Sequence, residues 1–380
     1  MKLTIEQSAL QKALRRVVSV VARKNTIPVL SNLLISAEEI GVGRIWIVAT
    51  DLDIEARVSV DADVHRAGQV TVPADTLAQI AQNAPDGAEL MFDWDTAKDP
   101  RVHVTFGRAR YKLPALEADL FPVWAERRWD AEVTIAAPDF AQMIERCVFA
   151  VCTDVTRTYL LGAYLHTVAV EGVPRLRLAA TNGHRMAYAD GPPDLAVSTL
   201  PGVIIPTKSV NELRRALDGR AGAVQLSACR TGVRLEADDL IISSKVIEGD
   251  YVDYTRVIPM SWEHEITVDR SLLIGAVVRT AVVSDERSSP IKMVFGDGAV
   301  QLTVINDQTG QATEEIEVDY DGPGFETGFN SRYVLDALRQ TGADNVVLRM
   351  VDGASPLRLE PSNDDPEAGA ALSIVMPQRI

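Results

Sequence analysis

Apolar residues recur along this chain with two periods, and the order of the two periods repeats three times. In residues 7–22 (QSALQKALRRVVSVVA), Leu10, Ala13, Leu14 and Val17 fall at i, i+3, i+4 and i+7, the spacing that lines one face of a helix. Residues 139–152 (DFAQMIERCVFAVC) and 270–283 (RSLLIGAVVRTAVV) read the same way. The three starts, at 7, 139 and 270, lie 132 and 131 residues apart. A second helix is predicted after each, over 73–83, 206–217 and 330–340, at offsets of 133 and 124 residues. Pro73 and Pro206 suit a helix start, where the missing N–H is not needed, and Asn330 suits an N-cap.

Between the helices the period is two, as in strands. One strand recurs as IWIVATDLD (45–53), LRLAATNGH (176–184) and VQLTVINDQ (300–308), with Thr50, Thr181 and Asn306 as matching polar ends. Another closes each unit: RARYKLPAL (108–116), DLIISSKVI (239–247) and ALSIVMPQRI (371–380). Each unit therefore reads strand, helix, strands, helix, strands. Domains are expected over 1–125, 128–257 and 258–380, with the junctions LFPVWAERRWDAE and TRVIPMSWEHE carrying Pro and polar residues as linkers do. Short alternating strands with few helices predict an α+β fold of antiparallel sheets.

Composition narrows the function. The 380 residues hold 38 Lys+Arg and 53 Asp+Glu, a formal charge of −15. A protein that coats DNA or membrane presents a basic surface, so this sum speaks against both. The start turns polar within seven residues, so no secretory signal is read, and no apolar run approaches the ~18 residues of a membrane span. Cys147, Cys152 and Cys229 are too few and too scattered for a disulfide framework and suit a reducing cytoplasm.

Catalytic constellations are missing from the sequence. It contains no GxxxxGK[ST] loop, no HExxH and no GxSxG elbow, and His65, His103, His166, His184 and His264 lack ligand spacing. Asp51 with Asp53, or Asp238 with Asp239, reads either as an acid–base pair or as turn residues. No metal or cofactor is expected. Divided by element, the six helical segments sum to +5 and the remaining chain to −20. A basic helical face inside an acidic exterior suits contact with phosphates without choice of sequence.

Seven segments in order complete a pattern: RKNTIPVLSNLLISA (23–37), GRARYKLPALEADLFP (107–122), AATNGHRMA (179–187), IIPTKSVNELRRAL (204–217), SSKVIEGDYVDYTRVIP (243–259), FNSRYVLDAL (329–338) and VMPQRI (375–380). Across its whole length the chain resembles the bacterial sliding clamps, the β processivity subunits of the replicative DNA polymerase. The resemblance implies three clamp domains, each with two helices on antiparallel sheets. Two chains would close head to tail into a ring around double-stranded DNA and tether the polymerase without catalysing anything.

Site residues follow from the resemblance position by position. Arg23, Lys24, Arg157, Lys208 and the aromatic Tyr159 match DNA-facing positions, and charge and helix position add Arg214 and Arg215. The loop 154–162 is one residue longer than usual in the family, and Ala74-Asp75-Thr76 lacks the basic residues some relatives carry there. A peptide pocket would be lined by Leu160, Thr181, Gly183, His184, Arg185 and Met186, by Arg256 and Val257, and by Asn330, Tyr333, Pro356, Ile374, Met376, Pro377 and Arg379. It would accept short linear motifs of the polymerase α subunit, the clamp loader, other polymerases and repair proteins. Its aliphatic members and methionines make an adaptable floor, and Arg185, Arg256 and Arg379 can donate to peptide oxygens. Val252, Gln378 and Asn182 stand where proline, methionine and aspartate are common. A homodimer interface is implied between Arg108, Arg110 and Leu113 on one edge and Val282, Val283, Glu314 and Glu315 on the other, with Ala312 where some relatives carry an acid. An exposed Leu113 in a free monomer would favour a stable dimer. Two other readings compete: an acidic metabolic enzyme with a site near Thr181–Arg185, and a repeat scaffold that never touches DNA.

Overall fold

The computed structural model describes residues 1–22, 26–95, 99–284, 289–362 and 370–379. Arg23, Lys24 and Ile380 lie outside the described residues.

Three repeats of one order are observed. The first runs β1 (Lys2–Glu6), α1 (Gln7–Val17), β2 (Asn32–Ala37), β3 (Gly41–Thr50), β4 (Ile54–Arg66), β5 (Gly68–Pro73), α2 (Ala74–Asn83), β6 (Glu89–Asp95), β7 (Asp99–Phe106) and β8 (Ala109–Leu113). The second runs β9 (Ala131–Ala136), α3 (Ala137–Val148), β10 (Gly162–Val170), β11 (Val173–Thr181), β12 (Arg185–Asp190), β13 (Val203–Pro206), α4 (Thr207–Leu217), β14 (Ala223–Cys229), β15 (Gly232–Ala237) and β16 (Leu240–Lys245). The third runs β17 (His264–Asp269), α5 (Arg270–Thr280), β18 (Pro290–Gly296), β19 (Ala299–Asn306), β20 (Gly310–Glu317), β21 (Phe325–Asn330), α6 (Ser331–Thr341), β22 (Asn345–Met350), β23 (Leu357–Pro361) and β24 (Ala371–Val375). All the sheet pairings are antiparallel, and the α+β expectation holds.

Local chemistry explains the element ends. α1 buries Leu10, Ala13, Leu14 and Val17 and stops at Val17, where a 3-10 turn (Val18–Val20) takes over from the predicted longer helix. The β-branched run Val17-Val18 resists further helix. Pro73 and Pro206 end their strands and stand just before α2 and α4. Asn330 caps α6 as expected, its side chain accepting from Arg332 N–H (3.0 Å) and Tyr333 N–H (3.3 Å).

The repeat also shows in a small turn, and there the sequence alignment needs a correction. Asp51 Oδ1 accepts from the N–H groups of Asp53 (2.9 Å) and Ile54 (2.7 Å), and Asn182 Oδ1 from those of His184 (2.9 Å) and Arg185 (3.0 Å). Asn306 Oδ1 does the same for Gln308 (2.9 Å) and Thr309 (3.2 Å). Asn306 therefore corresponds to Asp51 and Asn182, one place later than its predicted match with Thr50 and Thr181. The side-chain turn sets the correspondence, because only an Asx oxygen reaches both N–H groups two and three residues on.

Two compact units emerge, Met1–Ala136 with Asn211–Val246, and Ala137–Val210 with Ile247–Ile380. They do not coincide with the sequence repeats, because the sheets run across the repeat boundaries. In the first unit β16 of the second repeat pairs with β4 of the first, Leu240 opposite Val58. In the second unit β24 of the third repeat pairs with β12 of the second, Ala371 opposite Ala189. The rule is the same at both joints: the last strand of one repeat extends the sheet of the repeat before it. Two strands are left without that neighbour, β8 of the first repeat and β20 of the third, and each ends its sheet.

Candidate functional site

The second unit contains all fifteen residues assigned to the pocket, and their surroundings can be built up from the Asx turn. Thr181 Oγ1 donates to Arg185 O (2.8 Å) and accepts from Gly183 N–H (3.1 Å), while Thr181 N–H donates to the Tyr251 hydroxyl (3.0 Å). Gly183 sits at φ +87°, and a Cβ there would meet Arg157 Nη1 at 3.1 Å. Glycine adopts this left-handed conformation without strain and leaves room for Arg157. Asn182, in place of the common aspartate, keeps the acceptor oxygen that the turn uses.

β12 leaves this turn with Met186 directed into a cluster of Ala179, Met186, Tyr254, Leu372 and Ile374, joined by partly buried Tyr164, Tyr188, Tyr251, Ile258 and Met376. Met186 pairs with Ile374 in the ladder, and Met376 N–H donates to His184 O (2.9 Å), so the C-terminal segment is laced to the turn. The tail continues with Gln378 N–H donating to Gly328 O (2.8 Å). Pro377 and Arg379 lie on a separate cavity of about 460 Å³ with Glu326, Thr327 and Gly328. Leu160 is buried in the 3-10 turn Thr158–Leu160, Val257 and His184 are exposed, and Pro356 is half-buried.

The arginines are less available than the sequence suggested. Arg185 Nη1 donates to Asp336 Oδ2 (2.5 Å), and its guanidinium lies over the rings of Tyr333 (4.5 Å) and Phe149 (5.3 Å). It therefore works as a strut between β12 and α6. Arg256 is exposed and paired with Asp253 (2.8 Å). Sequence reading missed Asp336, although its place three residues after Tyr333 puts both on one helix face. It also missed the tyrosines that floor the cluster. Tyr164 stacks on Tyr251 (4.9 Å) and on His166 (4.3 Å), and His166 Nε2 is 2.9 Å from the Tyr254 hydroxyl. Burial, aided by the Arg177 charge, lowers the His166 pKa to about 4 and keeps the ring neutral near pH 7. Burial likewise raises the pKa of the Cys147 thiol, which leaves it inert as a nucleophile.

The expected DNA-facing residues differ in exposure. Tyr159, Lys208 and Arg214 are exposed. Arg157 is 3.4 Å from Asp154 and donates to Asn182 O (3.1 Å), so it braces the pocket turn as well. Arg215 is held by Glu212 (2.6 Å), which also accepts from Ser19 Oγ (2.6 Å). Arg16 and Arg220 share Asp239. Asp239, outside the helical segments, therefore offsets part of the helical +5.

One interface expectation is overturned. Leu113 is only 5% exposed, because β8 turns it inward opposite the buried Val102. It cannot supply an exposed apolar edge. Exposed large apolar side chains at the two strands include Tyr111 on β8 and, in the other unit beside β20, Val282 and Ile305. Arg108, Arg110 and Glu315 are exposed, Glu314 is engaged by Arg279, and Val283 packs partly against the third repeat's core.

Three family models match consecutive stretches: the N-terminal domain of the DNA polymerase III beta subunit at 1–125, its central domain at 134–253 and its C-terminal domain at 255–377. The chain belongs to the DNA polymerase III beta-subunit family, the sliding clamps. It is 41% identical to the beta sliding clamp of Caulobacter vibrioides and 32% identical to that of Escherichia coli, each over the full length of both chains. The crystal structure of the Caulobacter crescentus clamp superposes with a TM-score of 0.91 at 41% identity. That of the Pseudomonas aeruginosa DNA polymerase III beta subunit does so with 0.91 at 31%, both over all of each chain. The sliding-clamp fold is thus a set of three clamp domains, and the chain is a non-catalytic processivity factor of DNA replication. Among the described residues no group of His, Cys, Asp and Glu could hold a metal ion, and no helix is long and apolar enough to cross a membrane.

Proposed function

We propose that two copies of this sliding clamp close head to tail around duplex DNA and tether the replicative polymerase, through the three domains 1–125, 128–257 and 258–380. The observation that carries the dimer is the joint rule. At each internal joint the last strand of one repeat pairs with the fourth strand of the repeat before it, and the unmatched strands are β8 and β20. A second copy supplies to each the neighbour it lacks. With Asn306 matched to Asp51, and with Asn306 pairing four residues on with Gly310 where Asp51 and Asn182 pair three on, the internal register carried to these edges sets Arg108 opposite Glu315 and Arg110 opposite Thr313. Tyr111, Val282 and Val283 add apolar area, Glu314 holds Arg279 in place, and Leu113 supports the edge from inside.

Arg157, Tyr159, Lys208, Arg214 and Arg215, with Arg23 and Lys24 outside the described residues, meet phosphates without reading bases. Such contacts are individually weak and salt-dependent, which lets an encircling ring slide. The apolar cluster around Met186, Ile374 and Met376 receives short linear motifs of the polymerase α subunit, the clamp loader, other polymerases and repair proteins. Leu160, Thr181, Gly183, His184, Arg185, Arg256, Val257, Asn330, Tyr333, Pro356, Pro377 and Arg379 surround that cluster as further contacts of the motif. Tethering converts repeated rebinding into an event at high local concentration. The protein works in the cytoplasm, with the chromosome.

The test is topological. Clamps loaded onto nicked circular DNA by a clamp loader stay on the circle and are lost when the DNA is cut once. Equal retention on circular and linear DNA refutes encirclement. For the pocket, Met376→Ala weakens binding of a polymerase C-terminal peptide in calorimetry, and unchanged affinity rejects that assignment.

A further inference from the structure

The joint between the first and second repeats has a cavity of its own, of about 420 Å³, within the first unit. This is within the usual range for ligand sites. Its floor is the β4–β16 ladder, where Glu55 faces Ser243 and Arg57 faces Ile241. These positions correspond to Met186–Ile374 and Tyr188–Leu372 at the other joint. Its roof is the linker, with Trp124 and Trp129.

The polar groups here are arranged, and not all of them are satisfied. Glu55 is buried and fully committed: it accepts from Arg57 Nε (2.6 Å) and from Trp124 N–H (2.8 Å). Arg127 lies over the Trp124 ring (4.4 Å) and donates to Thr231 O (2.9 Å), with no carboxylate beside it among the described residues. A Cβ on Gly232 would come within 2.6 Å of Arg127 Nη1, so that glycine makes room for the guanidinium. Arg234 lies over Trp129 (5.3 Å) and holds Glu236 through Nη2 (3.0 Å), while its Nε is buried without a partner. That Nε is shut off from solvent, and the 27% exposure of the side chain leaves its outer atoms as the part a ligand can reach.

We propose that this cavity is a second peptide site, taking an acidic segment with an aromatic side chain. Carboxylates accept from the outer guanidinium N–H groups of Arg234 and from Arg127, and the aromatic ring lies along the indoles. The peptide class rests on the proposed role of the neighbouring joint; the charge preference comes from this cavity alone.

The probe is the synthetic peptide acetyl-Glu-Glu-Phe-Glu-Glu-amide, titrated into the full chain by calorimetry and tryptophan fluorescence. Binding is expected to fall about tenfold or more in Arg234→Gln and in Arg127→Gln, and for the Gln-Gln-Phe-Gln-Gln analogue, since each loses a charge-assisted contact. It should stay unchanged in Met376→Ala, which separates this site from the apolar pocket. Absence of binding overturns the proposal, as does affinity indifferent to both arginine variants or lost in Met376→Ala. Binding of ATP with the same Arg234 dependence overturns the peptide assignment.

Discussion

The two internal joints use one backbone plan and opposite side chains. Lys245 N–H donates to Asp53 O at 2.9 Å in the first, and Met376 N–H donates to His184 O at 2.9 Å in the second. Both follow an Asx turn, and Leu52 (φ +80°) repeats the conformation of Gly183. Yet the first joint shows Glu55, Ser243 and Lys245 where the second shows Met186, Ile374 and Met376. Main-chain pairing builds the joint, and side-chain choice decides what it can receive. The apolar joint suits an adaptable grip on apolar side chains, whereas the charged one sets arginines and indoles around its cavity.

The strongest way to break this comparison is to exchange chemistry between the joints. Met186→Glu places a carboxylate at a site 1% exposed, where Tyr188 stands in the place of Arg57. A loss of about 3–5 kcal/mol in urea unfolding is expected, together with loss of motif binding. The His166 site titrates on a similar scale. Its pKa of about 4 in the folded chain lies below the unfolded value near 6.5. The unfolded state therefore binds the extra proton first, and stability present above pH 6.5 is lost as pH falls toward 4. The loss is about 3 kcal/mol, and His166→Gln should flatten it in a pH series of unfolding curves.

The reverse exchange is milder. Glu55→Met removes the acceptor for Arg57 and Trp124 N–H but leaves Arg57 partly in water, for a cost of about 1–2 kcal/mol. At the proposed joint between copies, Arg108→Glu with Arg110→Glu should yield monomers by light scattering, and Glu315→Arg should restore part of the dimer. Leu113→Asp is not a clean test, because Leu113 is buried in its own chain and the change would damage the fold first. The smallest effect is at the turn: Asn182→Asp should stay within about 0.5 kcal/mol in thermal unfolding, while Asn182→Ala costs about 1 kcal/mol.

Much of the fold was legible because helix and strand periods are local. The starts at 7, 139 and 270 marked three real helices, though Ala137 rather than Asp139 opens α3. Helix ends were overextended, as at 18–22, where β-branched residues favour a tighter turn. The apolar members of the candidate pocket were named from resemblance, and Met186, Ile374 and Met376 do meet. Arg185 was named for peptide contact but is engaged by Asp336 and Tyr333, a fact no spacing reveals.

The sequence by itself determined the threefold repeat, the order of elements and the separation of basic helices from an acidic remainder. Each depends on neighbours within a few residues or on a sum over the chain. The tertiary structure alone decided which strands cross the repeat boundaries, which arginines already have partners and that Leu113 faces inward. Hydrogen-bond ladders and ion pairs join residues far apart in the chain, so their choice is set by the packed geometry and not by local pattern.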